Sequence, residues 1–100
     1  MTTSGDLIDT SFVPVAAPHV SAALFDDAAV LYDADTARPV LLNVSAAAVW
    51  SAIDGVRTVA DIVALLAVRF GADAAAIEAD VSATVVRLRD LCLLTIIGEA

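Results

Sequence analysis

Reactive side chains are sparse in this chain of 100 residues. Its single histidine, His19, has no acidic or thiol partner at a recognisable spacing and reads as a surface or strand-edge residue. Its single cysteine, Cys92, falls on the apolar stripe of the last helical segment, with nothing near it in sequence to activate the thiol. A buried structural cysteine is expected there, not a nucleophile. Asp33 and Asp35, in the run DADTAR, suggest a metal loop, but the run lacks the glycine and the later glutamate of a calcium hand. A solvated turn is expected instead. There is no Gly-rich phosphate loop and no Cys or His pair at zinc spacing. Catalysis needs convergent reactive groups. This chain therefore predicts no catalytic residue, no metal and no cofactor, and leaves binding as the function to explain.

Charge narrows the partners. The chain carries 13 acidic residues against five arginines and no lysine, a formal net charge of −8. Nucleic-acid affinity rests on phosphate neutralisation, so DNA and RNA are excluded as partners. An anionic membrane surface is disfavoured for the same reason. Hydrophobic residues make up 60% of the chain and the mean hydropathy is high. The uncharged run Pro39 to Ile53 is nevertheless too short to span a bilayer. The opening MTTSGDLID has no basic region followed by an apolar stretch, so no signal peptide is expected. A lone cysteine forms no internal disulfide and fits a reducing compartment. A cytoplasmic protein of one domain is the expectation.

The elements that position any binding surface follow from local pattern. Residues 1–14 read as a flexible tail and residues 15–97 as the domain. Short strands are expected over His19 to Leu24, Ala29 to Tyr32 and Val40 to Leu42, joined by Asp26-Asp27 and by DADTAR. Pro39 cannot donate to a ladder and belongs at a strand start or an edge. Ser45 is the expected N-cap of a first helix whose apolar face is Ala46, Val49, Trp50 and Ile53. Asp54-Gly55 stops it, with Gly55 able to take the left-handed cap. Thr58 and Asp61 form an imperfect capping box for a second helix, with stripe Val59, Ile62, Val63, Leu66 and Phe70. Gly71 ends it. Asp73 starts a third helix with stripe Ile77, Val81, Thr84, Val85, Leu88 and Cys92. Leu93 to Ile97 is a closing extended segment.

The expected fold class is α+β: a small three-stranded antiparallel sheet followed by three helices, winged-helix-like. That architecture usually reads DNA. Here the third helix carries Asp73, Glu78, Asp80 and Asp90 against Arg87 and Arg89, the wrong sign for a recognition helix lying along phosphates. The stretch PVLLN then stands out. Three adjacent apolar residues on a short edge strand leave one apolar face and one row of backbone groups without an evident partner.

The ordered set Leu42-Asn43, Ala46-Ala47, Trp50, Asp54-Gly55, Thr58, Asp61-Ile62, Phe70, Asp80-Val81, Leu88, Leu91 and Leu93-Leu94 resembles the pattern of the PqqD-like proteins. The likeness covers roughly Ala29 to Leu94. It implies a RiPP recognition element, a small non-catalytic domain that binds the leader segment of a ribosomally made precursor peptide. In that family the leader adds as a strand to the third strand of the sheet and lies against the third helix. Carried over, the peptide-binding residues would be Pro39, Val40, Leu41, Leu42 and Asn43 on the edge. Ile77, Asp80, Val81, Thr84, Val85, Arg87 and Leu88 would face them from the helix, with Val81, Val85 and Leu88 also the natural core positions.

The partner enzyme implied by the resemblance is a leader peptidase of the lasso-peptide kind, to which YDADTARPVLLN and SAAAVW look closer. The alternative is a radical S-adenosylmethionine maturase of the kind used in quinone-cofactor synthesis. A winged-helix regulator that does not bind DNA is a further alternative. An exposed apolar edge can also pair with its own copy and make a homodimer.

Overall fold

Asp26 and Ala37, both in the left-handed region (φ 56° and 57°), close the two turns of a three-stranded meander. In the computed structural model, which describes residues 10–97, the elements in chain order are β1 (Val13–Ala16), β2 (Val20–Phe25), β3 (Ala28–Asp33), β4 (Arg38–Leu42), α1 (Val44–Ala52), α2 (Val59–Phe70), α3 (Ala74–Asp90) and β5 (Leu94–Ile97). The meander has the order β2-β3-β4, antiparallel throughout, and β1 pairs with β5 in a separate two-stranded sheet. The expected α+β architecture of a small antiparallel sheet and three helices is present. The three strands lie within a residue or two of their expected bounds, and β4 runs through Pro39 instead of starting after it.

Register settles which side chains face the core. Ala29 lies opposite Leu42 and Leu31 opposite Val40, while Val30 lies opposite Leu41. Ala29, Leu31 and Leu42 are buried, and Val40 packs against the same cluster. Leu41 points the other way and is 72% exposed. The sheet rests on α1, whose small residues Ala46, Ala47, Ala48 and Ala52 allow close approach. α1 is buried on most sides rather than along one stripe, because α2 and α3 also pack on it. Val59, Ile62, Val63 and Leu66 of α2, with Val81, Val85 and Leu88 of α3, complete the core. Each large side chain buried in this way stabilises the fold by roughly 1.5–3 kcal/mol.

The helix ends correct several expectations. Asn43, not Ser45, caps α1: its Oδ1 accepts the Ala46 N–H at 2.9 Å, and the Ser45 hydroxyl donates to the same oxygen at 3.2 Å. Both residue types cap well, but Asn43 holds the extended backbone a cap requires (φ −72°, ψ −179°), and Ser45 already lies in the first turn. Gly55 has the positive φ expected of it (81°), yet α1 has ended at Ala52 with Ile53 as an extended cap. The turn is held instead by Asp54, whose Oδ1 accepts from the N–H groups of Val56 and Arg57. These donors, Arg57 first, keep the Asp54 carboxyl below its usual range. The capping box of α2 is complete, with Thr58 and Asp61 bonded reciprocally at 3.0 Å. Gly71 caps its C-terminus in the left-handed region.

Cys92 is not on the stripe of α3. The helix stops at Asp90, and Cys92 is exposed with φ 62°. Cys92 N–H donates to Arg89 and Leu93 N–H to Leu88, the two bonds of a Schellman turn. That turn redirects the chain so that Leu93, one residue later, takes the buried place. Nor does the N-terminal segment wait until residue 15 to engage the domain. The carbonyls of Thr10 and Phe12 accept from Ala60 and Val59, satisfying first-turn donors of α2, and β1 then begins at Val13. The rest of the expected tail, residues 1–9, lies outside the described residues. No helix among the described residues is long and apolar enough to cross a membrane.

Candidate functional site

β4 is the terminal strand of its sheet, so one row of its backbone groups has no strand partner among the described residues. Which groups these are follows from Pro39. A proline fits a paired strand only where its nitrogen faces away from the neighbour. The N–H and C=O of one residue in an antiparallel ladder point to the same side, and the side alternates from residue to residue. Pro39 and Leu41 therefore present their free backbone groups to the open edge, while Val40 and Leu42 turn theirs to β3. The edge offers the Leu41 N–H as a donor and the Pro39 and Leu41 carbonyls as acceptors.

Next to this edge lies one face of α3. Ile77, Asp80, Thr84 and Arg87 recur at i, i+3, i+7 and i+10, which places them on a single side of the helix over roughly 15 Å. Ile77 and Thr84 are half-buried, and Asp80 and Arg87 are exposed. Two hollows open along this face. One, of about 460 Å³, lies between the ends of the three helices and is lined by Val44, Val49, Leu66, Phe70, Ile77 and Asp80. The other, of about 500 Å³, is lined by Phe25, Ala28, Val30, Leu41 and Leu42, with Arg87 at its rim. Asn43, at the junction of β4 and α1, lines both. The side-chain oxygen of Asn43 is used as the cap, which leaves its amide NH₂ as the polar group at that junction.

The residues expected at this site divide into two groups. Pro39, Leu41, Asn43, Asp80 and Arg87 are exposed, and Val40, Ile77 and Thr84 are half-buried. Leu42, Val81, Val85 and Leu88 are buried in the core and act on any groove only through its shape. The opposite wall of the first hollow was not foreseen. Phe70 has the helical spacing of a core residue, four after Leu66, but α2 outruns the core and leaves it 43% exposed. Phe25 was also missed. It ends β2 beside the Asp26-Asp27 turn, where an exposed aromatic was the available signal.

Away from the groove, His19 is not alone. Its Nε2 lies 3.6 Å from Asp33 and its Nδ1 3.8 Å from Asp35. The β2–β3 register pairs Val20 with Asp33, and this brings the histidine beside the DADTAR turn at long sequence range. Of the two acids, Asp35 is solvated as expected, whereas Asp33 is 5% exposed and accepts the Asp35 N–H at 2.9 Å. Burial raises the Asp33 carboxyl, but the donors from Asp35 and Thr36 and the nearby His19 outweigh it and hold it below the usual range. Each ring nitrogen faces a different carboxylate, which ties the start of β2 to the β3–β4 turn.

A profile of the family described as coenzyme PQQ synthesis protein D matches residues 28–94. This chain belongs to the PqqD family. The matched span begins at β3 and ends at the start of β5, and so includes the open edge of β4 and the whole of α3. Comparison with curated proteins finds no match. Among solved structures, the PqqD truncation of Methylobacterium extorquens PqqCD is a stand-alone RiPP recognition element in solution. It is 28% identical with a TM-score of 0.76, over 90% of this chain and 96% of that one. TbiB1 in complex with the TbiA(beta) leader peptide is 23% identical, with a TM-score of 0.75 over 86% and 98% of the two chains. Lasso peptide synthetase B1 complexed with a leader peptide is 24% identical, with a TM-score of 0.71 over 85% and 98%. The fold of this PqqD-family chain is thus the fold of RiPP recognition elements.

Proposed function

We propose that this protein is a non-catalytic peptide chaperone. It binds the leader segment of a ribosomally made precursor peptide and presents it to a maturation enzyme. The observation that carries this reading is the open edge of β4 beside the two hollows along α3, in a fold whose solved relatives include two leader-peptide complexes. Strand addition satisfies the edge groups, and alternate side chains of the added strand enter pockets for specificity. Three or four new backbone hydrogen bonds contribute on the order of 1 kcal/mol each. Two or three buried anchors add roughly 1.5–3 kcal/mol each. The gross sum of about 6–13 kcal/mol, less the ordering of a flexible peptide, brackets the roughly 8 kcal/mol of micromolar binding.

The enzyme we assign as its partner is a leader peptidase of lasso-peptide maturation, with the cytoplasm as the compartment. The likeness to the M. extorquens PqqD truncation supports a second assignment, delivery to a radical S-adenosylmethionine enzyme. Titration of the purified protein with the leader segment of the precursor encoded beside it tests the binding. A dissociation constant in the micromolar range or tighter is expected, and absence of saturable binding would refute the function. Pull-down with the neighbouring peptidase or radical enzyme, with and without precursor, separates the two assignments. Light scattering across a concentration series, with and without leader, tests whether the β4 edge otherwise pairs with a second copy.

A further inference from the structure

The Arg87 side chain is a cation without a counterion among the described residues of a strongly acidic chain. Of the five arginines, Arg57 pairs with Asp54, Arg89 with Asp90, and Arg69 lies over the Phe70 ring at 5.4 Å, while Arg38 and Arg87 take no ion pair among the described residues. The Arg87 side chain takes no ion pair or hydrogen bond among the described residues, although the chain holds 13 acids, and Arg87 is the one cation that lines either hollow. It stands at the rim of the hollow floored by Leu41 and Val30. The Asp80 side chain is equally unpaired among the described residues and lines the other hollow with Ile77. Each apolar hollow therefore has one fixed charge, and the two charges are opposite. Seven helical residues separate them, about 10 Å, which an extended peptide covers in about three residues.

We infer that the groove selects a dipolar segment with two apolar anchors. The anchor in the Leu41 hollow has a carboxylate neighbour that meets Arg87, and the anchor in the Ile77 hollow has a cationic neighbour that meets Asp80. The inference rests on the leader-binding reading and deepens it by naming the chemistry of the occupant. The net charge of −8 repels an acidic peptide from most of the surface, so within the two hollows a single acid is favoured where Arg87 stands. Opposite charges at the two ends also give the peptide one direction along α3, because reversing it sets like charges together at both rims.

Selection from a displayed library of random peptides of about twelve residues tests this with the full chain and its Arg87→Glu variant. The wild-type protein is expected to enrich two apolar positions about three residues apart, an acid beside one and a base beside the other. With Arg87→Glu the acid is expected to be replaced by Lys or Arg while the apolar spacing stays. Synthetic peptides from the wild-type pool should bind Arg87→Glu about threefold to tenfold more weakly, with the loss recovered by reversing that one charge in the peptide. Asp80→Lys should shift the other position in the same way, which keeps the test valid if one variant folds poorly. Enrichment indifferent to both reversals would overturn the charge code and leave peptide binding standing. Failure to enrich any peptide would overturn both.

Discussion

Leu41 lies directly opposite Val30 in the β3–β4 ladder, and both side chains face away from the core, with Leu41 72% exposed. A leucine so placed on a terminal strand is available to another chain on both its side chain and its backbone.

The backbone part is separable by mutation. Leu41→Pro removes an edge N–H without removing a bond to β3, and Pro39 already occupies the equivalent place two residues earlier. The variant is expected to fold, shown by an unchanged circular dichroism spectrum, and to bind leader about tenfold or more weakly. Val40→Pro, whose N–H serves the ladder, is the contrast and should lose the fold. Unchanged leader affinity in folded Leu41→Pro would move the docking edge elsewhere.

Ile77 and Leu88 share α3 but not a role. Leu88 is 0% exposed, so Leu88→Ala should cost about 2–5 kcal/mol in denaturant unfolding. Where the variant remains folded, its leader affinity should stay near that of the parent. Ile77 lines the first hollow and is half-buried. Ile77→Ala should cost less stability, about 1 kcal/mol, yet weaken leader binding severalfold in calorimetric titration.

Asn43 joins the last strand to the first helix through its cap. Asn43→Ala should destabilise the protein by about 1 kcal/mol, while Asn43→Ser should retain most of the cap. For a domain of this size the alanine variant should melt roughly 4–8 °C lower by thermal unfolding.

Acid sensitivity should centre on Asp33 and Asp54. Both carboxyls titrate below their unfolded value of 3.8, so folding favours their ionised forms. The associated stability is present above that value and is lost as pH falls through the lower folded values. Melting temperature should therefore drop as pH is lowered from 5 to 2.5. Asp33→Asn should start lower near neutrality and show a smaller drop, the two proteins converging at the acidic end. A constant difference across the range would show that Asp33 acts by packing alone.

Local pattern alone was enough for the three helices and the small sheet. The 3.6-residue repeat of Val59, Ile62, Val63 and Leu66, the Thr58–Asp61 box, Gly71 and the acidic third helix are all short-range properties, and short-range interactions decide them. It also marked PVLLN as a strand with an apolar face to spare. What it left open depends on which distant groups arrive. Whether Val40, Leu41 or Leu42 faces the core is set by register against β3, because one residue of slip would exchange the two faces. The partners of His19 come from the β2–β3 pairing, and β1 finds β5 across almost the whole chain. Cys92 fits a helical stripe by spacing, but a Schellman turn at the end of α3 exposes it and buries Leu93. The groove itself exists only in three dimensions. Phe70 and Ile77 of one hollow and Leu41 of the other lie on separate elements, and the packing of α1 against both the sheet and the other helices brings both hollows to Asn43.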